Sequence, residues 1–151
     1  AEIEKRDLKL QEIRTREVKT RGFSELQVSQ RIHQYDTEVA KEYFVQFESG
    51  DSLLGFIRLS LPKVSPIFDE LEGCAMIREV HVYGQSLSFG EESGARAQHR
   101  GLGRSLIEAA CGIAAKQQFA ALAVISSVGT RGYYRKLGFA DAQLYQIKAL
   151  V

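Results

Sequence analysis

Gln98-His99-Arg100-Gly101-Leu102-Gly103-Arg104-Ser105 is the stretch whose reading decides the fold. It follows a loop rich in Gly and Ser and runs straight into a helical pattern from Leu106 to Lys116. Neither Gly101 nor Gly103 carries a Cβ, so a turn here lets the backbone come close to a ligand. A helix that begins at such a turn has first amides with no internal partner, and they point at whatever stands in front. Together with the helix dipole they form an anion site suited to a pyrophosphate. Any helix can also start near a Gly-x-Gly, so the surroundings must decide. A dinucleotide fingerprint would need a third glycine where Leu106 stands, and the chain has no GxxxxGK phosphate loop.

The 151 residues suit one domain with a real core. With 44% apolar and 26% charged residues the balance is that of a globular chain, and a net charge of +1 does not announce a nucleic-acid binder. No apolar run approaches the ~18 residues of a membrane span, and no signal-peptide pattern opens the chain. Cys74 and Cys111 form no CxxC, which gives neither a zinc motif nor a disulfide framework. This usage suits a reducing, cytoplasmic setting.

Residues 1–22 are dense in charge and keep no steady apolar period. An alanine opening such a run is what a piece of a longer protein would show, so 1–22 is expected to be an arm from a preceding domain. Residues 23–151 then form the folded domain. Within residues 14–22, Arg14, Arg16, Lys19 and Arg21 stand against Glu17 alone. In an extended stretch Arg14 and Arg16 project from the same side. Such a stripe either meets RNA phosphate or is a solvated linker.

From Phe23 the pattern alternates. Leu26, Val28 and Ile32 mark a first strand interrupted at Gln30, Tyr43, Val45 and Phe47 a second, and Leu53 to Leu61 a third after the turn Ser49-Gly50-Asp51-Ser52. Ala75 to Tyr83 reads as a fourth strand, with Ile77, Glu79, His81 and Tyr83 on one face and Met76, Arg78, Val80 and Val82 on the other. Glu79 and His81, two apart on one face, serve either a cleft or an exposed polar surface. Gly84 to Ala97 reads as a long loop. After the glycine turn and its helix, Ala121 to Ile125 is a continuous apolar run, as in a central strand covered on both faces. Arg131 to Leu137 makes a short helix stopped by Gly138, and Asp141 to Val151 a last strand. The unit strand, Gly-turn, helix, strand is a parallel crossover, whose ligand sits at the carboxyl ends of the strands.

Three runs together resemble one known family: Arg78-Glu79-Val80-His81-Val82-Tyr83-Gly84, the Gln98-to-Gly103 stretch, and Ala123 through Phe139 with its Gly129-Thr130-Arg131-Gly132-Tyr133-Tyr134-Arg135-Lys136-Leu137-Gly138. Gln-x-x-Gly-x-Gly matches the signature of the GNAT N-acetyltransferases. The longer runs resemble the C-terminal acetyltransferase domain of the Elongator catalytic-subunit family, as does Ile13 to Val18. The resemblance implies an α/β fold (α+β by some schemes) of GNAT type, a mixed central sheet with a splayed strand pair holding acetyl-coenzyme A. It also implies a preceding radical-SAM domain with an iron–sulfur cluster and S-adenosylmethionine. The two halves together would place a carboxymethyl-type group on the wobble uridine of tRNA. Many relatives carry metal-binding cysteines where Leu10 and Glu12 stand here, so no metal is expected in this chain.

By the same resemblance Glu79, Val80, His81 and Val82 lie along the pantetheine arm, with Gln98 and Arg100 opening the pyrophosphate turn. Gly101, Leu102, Gly103, Arg104 and Ser105 supply its amides. Tyr134 matches the tyrosine whose hydroxyl reaches the thioester sulfur, a sensible donor to a departing thiolate, and Tyr133 is expected to pack. Glu79 and His81 are candidate proton acceptors. Three functions stay open: the acetyl-coenzyme A module of a tRNA-modifying enzyme, a protein lysine acetyltransferase, and a non-catalytic acyl-coenzyme A docking module. The implied partners are acetyl-coenzyme A, tRNA, the radical-SAM domain of the same polypeptide, and Elongator-type subunits or a second copy, with no membrane.

Overall fold

The computed structural model of the chain describes residues 28–83 and 94–150, with only the backbone course for 94–100. Strands β1 (Ser29–Asp36), β2 (Ala40–Ser49) and β3 (Ser52–Pro62) form an antiparallel meander. Gly50 turns the chain between β2 and β3 at φ 57°, a left-handed conformation that favours glycine. β4 (Cys74–Val82) lies antiparallel to β3. Helix α1 (Gly94–Lys116) then crosses to β5 (Ala121–Val124), which is parallel to β4. The short helix α2 (Arg131–Lys136) leads to β6 (Ala140–Asp141) and β7 (Gln146–Ala149). The result is one seven-stranded mixed sheet in the order β1-β2-β3-β4-β5-β7-β6.

Both helices lie on one face of the sheet. Leu106, Ile107, Ala110 and Ala114 of α1 pack on Val45, Ile57, Leu59, Ile77 and Leu122, all buried. The small side chains of Ala110 and Ala114 let the helix lie close. Each fully buried Leu or Ile contributes about 1.5–3 kcal/mol of transfer free energy, so this layer fixes α1 against the sheet. The apolar run of β5 divides as a central strand should: Leu122 and Val124 face α1, whereas Ala123 joins Leu71 and Cys74 on the other side.

Four expectations need correction. The faces of β4 are not a simple alternation, because Arg58 pairs with Glu79 but Leu59 with Ile77, leaving Arg78 as the extra residue of a β-bulge. Ile77 therefore shares the helix side with Val80 and Val82, and Glu79 lies on the opposite face. The first strand runs through Gln30 without a break. The last strand is divided: the Glu70 carboxylate accepts from the Gln143 and Leu144 amides at 2.9 and 3.1 Å, and Ala142 N–H donates to Tyr145 O, so a turn separates β6 from β7. Finally, the helix opens at Gly94 rather than after Gly103. The arm at 1–22 with Arg14, Arg16, Lys19 and Arg21, Leu26 of the first strand, and most of the loop 84–97 lie outside the described residues.

Candidate functional site

β4 and β5 pair only from Cys74↔Ala121 to Ile77↔Val124. Beyond Ile77, at the Arg78 bulge, β4 continues against β3 alone, through Glu79, Val80, His81 and Val82. Its other edge has no strand partner among the described residues. Backbone N–H and C=O groups on such an edge must be satisfied by water, side chains or a ligand. The β3 side is tight by contrast: a Cβ on Gly55 would stand 2.8 Å from His81 O, so glycine lets β3 approach this segment. Tyr83 N–H donates to Leu54 O at 2.8 Å and holds the end of β4 in place.

Three elements meet at the mouth of this gap. A Cβ on Gly103 of α1 would lie 2.7 Å from Tyr133 Oη of α2 and 3.7 Å from Val82 Cγ2 of β4. Bare backbone at Gly103 thus makes room for a phenol, whereas a Cβ at Gly101 would meet nothing within 4 Å among the described residues. Tyr134 stacks edge-on against both Tyr133 and Phe139, each at 5.4 Å between ring centroids. The expected division of the two tyrosines by burial is reversed. Tyr134 is 9% exposed and belongs to the core, and Tyr133 is 39% exposed with its hydroxyl at the cleft mouth. Burial pushes both phenols above their ordinary value, with the neighbouring Tyr133 adding to the effect on Tyr134. Both therefore hold their protons at neutral pH and can act as donors.

The glycine stretch does not form the expected turn. Gly101, Leu102, Gly103, Arg104 and Ser105 lie well inside α1, so their amides are used by the helix ladder and the unpartnered ones belong to its start at Gly94. Ala95, Arg96, Ala97, Gln98 and Arg100 are strong helix formers and outweigh the roughly 1 kcal/mol that each glycine costs. Arg104 Nε donates to Glu108 Oε1 at 2.9 Å on an exposed face of the same helix. The side chains of Gln98 and Arg100 lie outside the described ones.

Glu79 and His81 come together on the face opposite α1. His81 Nε2 is 3.0 Å from Glu79 Oε1, and Arg58 Nη1 is 3.3 Å from Glu79 Oε2. Under the segment between β3 and β4, a largely apolar groove of about 300 Å³ is lined by Val39, Val64, Phe68, Met76 and Tyr145, and Glu79 and His81 are not part of it.

Sequence reading missed Gln146. It is 1% exposed, and its amide nitrogen donates to Arg131 O at 3.1 Å and Asp141 Oδ1 at 2.8 Å, while Ser126 Oγ donates to its oxygen at 2.6 Å. It therefore ties the chain just after β5 to the first turn of α2, the helix that carries both tyrosines. A lone glutamine in a strand has no periodic signature, so nothing marked it. Arg135 clamps the same Asp141 through two hydrogen bonds, which holds that carboxyl below its ordinary value. Among the described residues, Arg131 Nε is buried without a hydrogen-bond partner.

The chain and its sheet are also similar to known proteins. The chain is 39% identical over 158 aligned positions to a tRNA uridine(34) acetyltransferase of Dehalococcoides mccartyi, covering 98% of this chain and 34% of that protein. It is 32% identical to Elongator complex protein 3 of Bos taurus, covering 91% and 28%. Among solved structures, the archaeal Elp3 of Methanocaldococcus infernus superposes with a TM-score of 0.81 at 29% identity, over 98% of this chain and 37% of that one. The chain thus spans about a third of the length of these relatives. Residues 9–139 match the family described as acetyltransferase (GNAT), and the chain belongs to that family.

Proposed function

We propose that this chain is the acetyl-coenzyme A-using domain of an enzyme that modifies the wobble uridine of tRNA. The observation that carries the reading is the free edge of β4 beyond Ile77, opened by the Arg78 bulge. A pantetheine arm is a short chain of amides, and a strand edge with unpaired N–H and C=O groups suits it as a β-strand partner does. Glu79, Val80, His81 and Val82 would hold it by their backbones. Acetyl-coenzyme A supplies an activated acetyl thioester when bound.

Gly101, Leu102, Gly103, Arg104 and Ser105 do not fit a pyrophosphate while they are mid-helix. Our reading gives them that role only in a form of α1 that begins at Gly101, with Gln98 and Arg100 then in the preceding turn. Tyr134, neutral because it is buried, would be the proton donor to the thiolate that leaves when bound acetyl-coenzyme A gives up its acetyl group. Tyr133, at the cleft mouth, is its rival for this role. The Glu79–His81 pair stands on the open face as the proton acceptor. Glu79 is held by Arg58, so its carboxylate stays oriented.

The radical-SAM half, with its iron–sulfur cluster and S-adenosylmethionine, belongs in this reading to polypeptide outside the chain. Arg14, Arg16, Lys19 and Arg21 are assigned to tRNA phosphate. Changing all four to Gln in the full-length protein should flatten the salt dependence of tRNA binding. The functional test is thioester hydrolysis by the full-length protein with tRNA, with a lysine-containing peptide, and with neither. Acceleration by tRNA alone is the expected result. Acceleration by the peptide alone would make the chain a protein acetyltransferase, and no acceleration in any arm would leave only a docking module.

A further inference from the structure

On the sheet face away from α1, rings from three neighbouring strands form a column. Phe44 of β2 and Phe56 of β3 lie 4.8 Å apart between centroids, their planes 21° from parallel. Phe56 and His81 of β4 follow at 5.3 Å and 16°. Tyr83 lies beside the Phe56–His81 pair, 6.0 Å from His81 with planes 24° from parallel and 6.2 Å from Phe56 at 39°, so it does not occupy the place beyond His81. Phe56 is only 3% exposed, sandwiched between its two neighbours. His81 is covered by Phe56 on one ring face, and its side chain is 52% exposed.

The column follows the strand order β2, β3, β4, so its next place lies on the β5 side of His81. β5 does not reach that place, because its pairing with β4 stops at Ile77↔Val124. The ring face away from Phe56, on which no ring stacks among the described residues, therefore borders the gap assigned above to the pantetheine arm. Its in-plane nitrogen is engaged differently: Nε2 meets Glu79 Oε1 at 3.0 Å, and Glu79 is held in turn by Arg58. The imidazole is fixed by its edge and leaves its face to a ligand.

We propose that the free face of His81 is a stacking site for a nucleobase of an RNA substrate, which becomes the fourth ring of the Phe44–Phe56–His81 column. The proposal rests on the tRNA reading above. Every base has a π-face, and stacking on an aromatic side chain needs no particular pattern of donors and acceptors. It brings the base to the edge of the gap, where an acyl group held along β4 would meet it.

The test uses the full-length protein and an anticodon stem-loop oligonucleotide with 2-aminopurine at the wobble position, whose fluorescence is quenched by stacking. Wild type and His81→Phe should quench it. His81→Ala and His81→Asn should lose the quenching and bind roughly tenfold more weakly, the scale of one lost stacking contact. The Phe and Asn variants separate stacking from proton transfer, since Phe keeps the ring without the nitrogens and Asn keeps polarity without the ring. Thermal unfolding midpoints close to wild type establish that each variant is folded, and two ring-less variants guard against one failing to fold. Full quenching in His81→Ala or His81→Asn would overturn the stacking site while leaving the tRNA reading intact. Wild-type protein that binds the stem-loop no better than a DNA hairpin would overturn the tRNA reading, and the stacking site with it.

Discussion

Past Ile77, β4 leaves its parallel partner and offers a bare backbone edge, whereas α1 runs through Gly101 and Gly103 without breaking its own ladder. Both regions carry sequence features tied to the same coenzyme, yet only one has the matching geometry. The strand edge is held open by a covalent fact, one extra residue at Arg78, together with the close fit of Gly55 against His81 O. Nothing comparable stops the helix. Its glycines make a break at that point cheap, but Ala95, Arg96, Ala97 and Gln98 before them favour continuing. The strand edge is thus built into the fold, while the pyrophosphate turn has to be made by opening a helix at its weakest place.

The largest effect should come from the chemistry at the built edge. Tyr134→Phe keeps the ring that packs on Phe139 and removes only the hydroxyl. We expect near-normal coenzyme affinity and a rate lowered roughly ten- to a thousandfold, as for loss of one acid or oxyanion-type donor. The rate should also stay flat on the alkaline side up to at least the ordinary phenol value near pH ~10. Burial disfavours the phenolate and so moves the tyrosine upward. Turnover in full-length protein is the measurement, and slow turnover in Tyr133→Phe instead would hand the role to the hydroxyl beside Gly103.

Next comes Gly55. A Cβ there would stand 2.8 Å from backbone that cannot swing away, so Gly55→Ala should destabilise by about 1–3 kcal/mol, the scale of overpacking. Denaturant unfolding reads this directly. An unchanged midpoint would mean that the β3–β4 approach is looser than described.

How far these regions could be read in advance follows from the kind of mark each leaves in sequence. Alternation and turn residues identified the strands around Gly50 and the apolar run of β5, because those signals are local. The crossover followed from the order of elements. The bulge at Arg78 was not legible, since an extra residue shifts register without requiring any residue type, and so Ile77 was set on the face of Glu79. The turn that divides β6 from β7 depends on Glu70, distant in sequence from the amides it accepts. Gln146 is likewise defined only by what surrounds it. At the candidate site, the sequence singles out residues of β4 and the tyrosine pair, but not which tyrosine lies in the core. That distinction depends on how α2 is rolled against α1, set by Gly103 and Phe139 from outside α2 itself.

The smallest effect sharpens the contrast most. In a continuous helix Gly101 needs no special conformation and a Cβ meets nothing among the described residues, so Gly101→Ala should stabilise the chain by about 1 kcal/mol. If coenzyme binding opens the helix at this point, the same change should weaken affinity by a similar factor, because it stabilises the form that must be opened. Unfolding and titration calorimetry on the one variant give both numbers. A gain in stability with unchanged affinity would remove the glycine stretch from the coenzyme site.

The most direct test of the account is hydrogen–deuterium exchange across β4, with and without coenzyme A. The amides of Arg78–Val82 that face the β5 side should exchange fast in the free protein and become protected when the coenzyme binds. Those of Cys74–Ile77, already paired to β5, should change little. Unaltered exchange throughout Arg78–Val82 at saturating coenzyme A would contradict the claim that this free strand edge is where the coenzyme lies.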